Sequence, residues 1–200
     1  MASPDAVPGV YLETARLTLR RFTPDDLDDL TALDADPAVM RYINGGRPTP
    51  REELQTDYLP FWLAYYERGD AWGFWAAIER ETGDFLGWVH LRPNEDDPPD
   101  EPELGYRLNR AAWGRGLATE GSRALIDAAF ERHGARRVHA STMKVNEGSW
   151  RVMEKSGMRF VRLYFGEWPE RIPGDEEGDV EYAITREEWE AARAAGASGA

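Results

Sequence analysis

The 200 residues predict one α/β (α+β) domain built on a sheet of mixed strand direction. Three observations carry that prediction. Segments of period-two hydrophobicity alternate with segments of helical period. The length suits a single, well-filled core. No internal repeat or change of composition marks a second domain.

Leu17 to Phe22 alternates apolar and polar residues as a first strand. Thr23 and Pro24 supply the N-cap and first position of a helix over Asp25–Leu33, with acids in its first turn. Asp36-Pro37 breaks that pattern, and Gly45-Gly46 with Pro48 and Pro50 predict a loop. Arg51 to Arg68 then reads as a second helix, with Leu54, Tyr58, Phe61, Trp62 and Tyr65 at helical spacing. Gly69-Asp70 ends it. Trp72–Glu79 and Phe85–Leu91 form two strands joined by a turn at Glu81-Thr82-Gly83-Asp84.

After the acidic, proline-rich loop Pro93–Pro102, Glu103–Leu108 is the fourth strand. Gly116–His133 is a helix whose buried stripe is Leu117, Leu125, Ile126, Ala129 and Phe130, with Gly134 at its C-cap. Val138, Ala140 and Thr142 alternate in a fifth strand. Asn146 caps a short helix that runs to Glu154 and is ended by Gly157. Met158–Phe165 and Val180–Ile184 complete the sheet, separated by a loop of Pro, Gly and acids. The single domain spans 1–200, with 11–190 as folded core and 191–200 as a flexible tail.

Composition excludes several classes. The absence of cysteine removes disulfides, a thiolate nucleophile and a Cys-ligated metal. His90, His133 and His139 lack ligand spacing, so no metal is expected. The N-terminus shows no signal peptide and no window is apolar enough to span a membrane, which predicts a cytoplasmic protein. A net charge of −13 argues against nucleic acid as partner. That charge is uneven: Tyr106–Phe165 carries +7 and the remainder −20. Clustering on solvated helix faces gives such a split too, but here the basic third surrounds a glycine turn.

That turn is Trp113-Gly114-Arg115-Gly116-Leu117-Ala118-Thr119-Glu120. Two glycines one residue apart, opening a helix, leave backbone N–H groups aimed at one spot with the positive helix end behind them. This is a cradle for a pyrophosphate. The dinucleotide fingerprint needs a third glycine where Thr119 stands, and a carboxylate after the next strand that is missing here. No Gly-Lys-Ser/Thr follows, so the Walker pattern fails.

A second constellation is Asn146-Glu147-Gly148-Ser149 with Glu154-Lys155-Ser156-Gly157-Met158-Arg159-Phe160. Together with the glycine turn it resembles the GNAT acetyltransferase superfamily, and more narrowly its RimJ/RimL-like branch, which acetylates protein N-termini and related amines. The resemblance covers nearly the whole chain, including Glu13-Thr14-Ala15-Arg16-Leu17-Thr18-Leu19-Arg20, Leu104-Gly105-Tyr106 and Glu181-Tyr182-Ala183-Ile184 followed by Trp189. It implies a mixed, mostly antiparallel sheet of about seven strands flanked by about four helices, with splayed central strands.

The family's acetyl-CoA loop, Gln/Arg-x-x-Gly-x-Gly/Ala, falls on Trp113 to Ala118, with Trp at the first position as is usual in this branch. The resemblance then implies that backbone amides of Gly114, Arg115, Gly116, Leu117, Ala118 and Thr119 hold the CoA pyrophosphate. Arg110 and Arg115 add charge, Leu108 bonds the pantetheine arm, and Asn146 and Ser149 face the arm near the thioester. Acetyl-CoA is thus the expected co-substrate, with a primary amine as acceptor and the chain as monomer or homodimer.

Transfer to an amine needs a base, because an alkyl ammonium has a pKa near ~10. Glu103 is the first candidate and Glu167 the second; both are equally readable as exposed acids. Main-chain N–H groups near Tyr106–Leu108 are placed to hold the oxyanion. Ser149 is the candidate to protonate the departing thiolate, unless it is a helix serine bonded only to backbone; Tyr106 is the fallback. Val39–Tyr66 and Tyr164–Asp179 are expected to build the acceptor groove, with Tyr42, Tyr65, Tyr66, Tyr164 and Trp168 as its aromatics. Its acidic rim favours a cationic acceptor or a protein N-terminus. The other class open to the sequence is a non-catalytic acyl-CoA-binding module.

Overall fold

The computed structural model describes residues 9–166 and 170–197. Among them lies one eight-stranded sheet in the order β1 (Val10–Glu13), β2 (Leu17–Arg20), β3 (Gly73–Glu79), β4 (Phe85–Arg92), β5 (Glu103–Leu108), β6 (Arg137–Met143), β8 (Asp179–Thr185), β7 (Arg159–Tyr164). Every neighbouring pair is antiparallel except β5 with β6. The strand β1, four residues long and too short to show a period, is the one beyond the expected seven.

The near-continuous apolar runs of β3 and β4 have a physical reason, burial on both faces. On one face Leu17, Leu19, Trp75, Ala77, Val89 and Leu91 pack under α5 (Leu117–Arg132) and α6 (Glu147–Lys155). On the other, Phe74, Ala76 and Trp88 meet Phe22, Leu30, Leu54, Leu59, Trp62 and Tyr65. A fully buried Leu such as Leu91 contributes about 1.5–3 kcal/mol to such a core.

The second layer is built by α1 (Leu27–Asp34), α2 (Pro37–Asn44), α3 (Arg51–Glu53) and α4 (Leu59–Tyr65). Asp36-Pro37, expected only to break a helix, also starts α2. The Asp36 carboxylate accepts the Ala38 N–H at 2.9 Å and Pro37 takes the first helical position, where no N–H is needed. Between α3 and α4 the chain widens into a π-helical stretch, Leu54–Tyr58, just ahead of Pro60, which has no N–H to give.

The C-terminal tail expectation is corrected as far as residue 197. Helix α7 (Arg186–Ala197) continues beyond 190, tied down by Trp189 Nε1–H to Asp127 at 2.7 Å and Arg193 to Glu131 at 2.6 Å. No helix among the described residues is long and apolar enough to cross a membrane.

The feature that positions the site is the split between β5 and β6. Their ladder holds at a single register pair, Glu103 with His139, where the His139 N–H reaches the Pro102 carbonyl at 3.1 Å. Beyond it the two strands part, as expected for the central strands.

Candidate active site

The split opens a cleft of 2310 Å³ between β5, β6, the N-terminus of α5 and the start of α6. Strand alternation assigns the two sides of β5. The His139 bond to the Pro102 carbonyl turns residues 102, 104, 106 and 108 toward the gap with their backbone groups. Asn109 N–H points the other way, to the Leu86 carbonyl at 2.8 Å. The main-chain N–H groups of Tyr106 and Leu108 therefore face the cleft. The Leu108 carbonyl already accepts the Trp113 indole N–H at 2.7 Å, which folds the loop back onto the strand end.

The loop itself is held by the first hairpin. Gly114 and Gly116 have φ of +70° and +79°, values that L side chains rarely adopt, and Gly116 is the N-cap of α5. A Cβ on Gly114 would meet nothing within 4 Å, so the backbone lies open to a ligand. Behind it, Glu120 in the first turn of α5 accepts the Arg16 N–H at 2.8 Å, Arg16 Nε–H at 2.7 Å and the Thr14 hydroxyl at 2.6 Å. Arg16 Nη1 also donates to the Arg115 carbonyl at 2.8 Å. Burial works to raise the Glu120 pKa, but these hydrogen bonds and the Arg16 charge outweigh it and hold it below the usual range.

Of the expected cofactor residues, Leu108, Gly114, Gly116, Leu117, Ala118, Thr119, Asn146 and Ser149 line the cleft. Arg110 and Arg115 do not. Arg110 pairs with Asp36 at 2.6 Å and Arg115 with Glu79 on β3, so both guanidinium groups are committed to carboxylates elsewhere. Basic lining comes instead from Arg123, one helical turn after Thr119, and from Lys155 on α6; Arg151 also lines the cleft but pairs with Glu147 at 2.9 Å. The i, i+4 spacing of Thr119 and Arg123 was the available signal. Asn146 occupies the cap position of α6 without a side-chain cap bond; its amide donates to Thr142 Oγ1 at 3.1 Å and so turns along the cleft wall.

Ser149 and Tyr106 meet across the cleft. The Tyr106 hydroxyl donates to the Ser149 carbonyl at 2.7 Å and lies 3.1 Å from Ser149 Oγ. Burial pushes the Tyr106 hydroxyl above the usual tyrosine range, with the Ser149 bond pulling the other way. Ser149 is thus more than a helix serine bonded to backbone.

Glu103 stands on the opposite face of β5 from Tyr106, two residues from Gly105, and lines the cleft from that side. Among the described residues no hydrogen bond or ion pair engages its carboxylate. Glu167 and Trp168 lie outside the described residues.

Of the aromatics expected at the acceptor groove, Tyr42 and Tyr164 line the cleft, and Tyr58 lines it too. Tyr65 and Tyr66 are corrected. Tyr65 is buried in the helix-side core, and the Tyr66 hydroxyl is held by the Phe22 N–H and Phe74 carbonyl away from the cleft. The acidic rim is also less negative than composition suggests. Glu181 is held between Arg137 and Arg162, Asp97 meets His139 at 3.0 Å, Asp175 meets Arg171 at 2.8 Å, and Glu170 pairs with Arg47.

Comparison with known proteins places this geometry. The family described as "Acetyltransferase (GNAT) domain" matches residues 16–159. FsC-acetyl coenzyme A-N(2)-transacetylase of Aspergillus fumigatus is 35% identical over 185 residues, covering 89% of this chain and 77% of that protein. The crystal structure of a GNAT-family acetyltransferase from Bacillus anthracis superposes with a TM-score of 0.69 at 23% identity, over 88% of this chain and 98% of that one. Spermidine N-acetyltransferase from Vibrio cholerae, solved with CoA and spermine, gives a TM-score of 0.70 at 16% identity over 88% and 99%. The chain belongs to the GNAT acetyltransferase family.

Proposed function

We propose that the chain transfers the acetyl group of acetyl-CoA to a primary amine, a protein N-terminus or a small amine, by direct attack in a ternary complex, in the manner of the RimJ/RimL-like branch. The observation that carries the reading is the β5–β6 split with the α5 N-terminus at its mouth. A splayed strand pair offers unpaired backbone groups to an extended pantetheine arm, and the open Gly114–Gly116 turn suits a pyrophosphate. The neighbour solved with CoA and the relative named for acetyl coenzyme A agree with that donor.

The two faces of β5 divide the chemistry. Glu103 faces the amine and takes the proton that an alkyl ammonium must lose before it attacks the carbonyl carbon. The Tyr106 and Leu108 N–H groups point at the gap where the carbonyl oxygen gains charge. As the C–S bond breaks, the Tyr106–Ser149 pair on the other face stands ready to give a proton to sulfur; the nitrogen of the adduct releases its surplus proton to solvent, from which the pair regains the one it gave. Arg123 and Lys155 supply positive charge for the phosphates.

The test is release of free thiol from acetyl-CoA, measured with amino-terminal peptides, amino acid amides, polyamines and aminoglycosides. Acceleration by an amine, with the acetylated product seen by mass spectrometry, is the expected result. Acetyl-CoA binding without transfer to any acceptor would instead favour a non-catalytic acyl-CoA module.

A further inference from the structure

His90 lies in the apolar run of β4 and shows no site signal in sequence, yet its ring forms part of the cleft wall. It is opposite Gly105 in the β4–β5 register, on the same face of the sheet as Glu103. A methyl group on Gly105 would collide with the imidazole, so the Nε2 edge of the ring occupies space that only glycine leaves. Phe74 stacks on the ring at 5.0 Å.

The ring nitrogens are not equivalent. Nδ1 is sealed from solvent and has no hydrogen-bond partner among the described residues, whereas Nε2, on the edge that abuts Gly105, is not sealed in this way, and the residue lines the cleft. Only 8% of the residue is exposed. Burial first, then the Arg92 and Arg107 charges, hold its pKa near about 3, so the imidazole is neutral with a single N–H. A buried N–H without a partner is rarer and costlier than a buried lone pair. The proton therefore sits on Nε2, and His90 holds a fixed donor on the face of the sheet that also carries Glu103.

Resting on the acetyl-transfer reading above, we infer that His90 is a specificity-determining residue that donates its Nε2–H to a carbonyl or carboxylate oxygen adjacent to the amine being acetylated. The preferred acceptor is an amine carrying such an oxygen within two or three bonds. The Arg92 guanidinium near the ring favours an electron-rich oxygen there, whereas Arg107, also near, is already paired with Asp34 at 2.6 Å. A plain polyamine has no oxygen to offer this donor.

The experiment compares alaninamide with its hydrocarbon isostere 3-methylbutan-2-amine and with spermidine, correcting each rate for the fraction of neutral amine. The expected kcat/KM ratio of alaninamide to the isostere is about tenfold or more, because a donor left unpaired costs on the order of 1.4 kcal/mol. In His90→Leu the ratio falls toward one, and His90→Gln, which keeps an N–H near the same place, recovers part of it. Being internal to each variant, the ratio is not mimicked by a partly unfolded preparation. A ratio near one in the parent chain, or an unchanged ratio in His90→Leu, overturns the inference. Calorimetric binding of both amines to the CoA-loaded protein separates it from the reading on which it rests. A binding preference lost in His90→Leu, with no transfer to any amine, overturns acetyl transfer and supports His90's role; transfer without preference does the reverse.

Discussion

The Tyr106 hydroxyl donates to the Ser149 carbonyl at 2.7 Å while lying 3.1 Å from the Ser149 hydroxyl. The two residues are one unit, joining β5 to the first turn of α6 across the cleft. Either side chain's loss also disturbs the other, so their effects are coupled. Tyr106→Phe and Ser149→Ala are each expected to lower kcat by roughly ten- to a thousandfold with acetyl-CoA affinity nearly unchanged. The double variant should lose little more than the worse single variant. Steady-state kinetics with calorimetry checks this; unaltered kcat in both single variants would remove the pair from the chemistry.

Gly116 at φ +79° caps α5 where no other residue sits without strain. Gly116→Val costs about 1–2 kcal/mol in backbone strain and sets a Cβ against Arg16 Nη2, which shifts the turn that aims the cradle's N–H groups. Acetyl-CoA binding should be lost in calorimetry while the protein remains folded by circular dichroism. Tight binding by this variant would sink the cradle.

Glu120 gathers three donors from the first hairpin, and Arg16 passes that hold on to the Arg115 carbonyl. Glu120→Ala leaves the Thr14 hydroxyl and the Arg16 N–H without their acceptor, and is expected to destabilise the fold by about 1–3 kcal/mol. It should also weaken acetyl-CoA binding, since the glycine loop loses its backing. A thermal melt and a titration measure the two effects together. A full melt shift with unchanged affinity would show that the loop holds its shape alone.

The His90 imidazole is neutral in the folded chain, with a pKa of about 3, and ordinary when unfolded, near about 6.5. A depressed folded value means the unfolded state binds the extra proton first. Stability is therefore complete above about pH 6.5 and falls as the pH drops below it, by up to about 1.4 kcal/mol per pH unit from this group. Denaturant midpoints between pH 7 and 5 should show that slope, and His90→Gln should flatten it. Equal slopes in both proteins would mean the ring is solvated.

Glu103→Gln removes the proposed base without changing its size. The expected outcome is a fall in kcat/KM of about a hundredfold or more near neutral pH, shrinking at high pH where the amine is already neutral. A pH profile parallel to that of the parent chain would assign proton removal to another group.

Much of the fold was legible because its signals are local. The strand Glu103–Leu108 and the Leu117–Phe130 stripe announce themselves by period, and Gly114 with Gly116 by a backbone requirement. Local chemistry misled where one residue serves two ends: Asp36 and Pro37 close α1's neighbourhood and open α2 with the same atoms. Arg110 and Arg115 were readable as cations near the cradle, but their partners Asp36 and Glu79 lie far off in the chain. Nothing in Gly87-Trp88-Val89-His90-Leu91 separates His90 from a core residue. Its exposure to the cleft depends on the missing Cβ of Gly105 across the strand boundary.

By itself, then, the sequence determined the order and kind of most elements, the glycine cradle and the donor class it suits, since each follows from spacing within a few residues. Only the tertiary structure decided which side chains share the cleft. Where β5 parts from β6, the alternation of one strand sends Tyr106 toward Ser149 and puts Glu103 on the face that carries His90. That sorting needs helices packed on both faces of the sheet, and packing between distant segments is set by shape and burial, which no local spacing encodes.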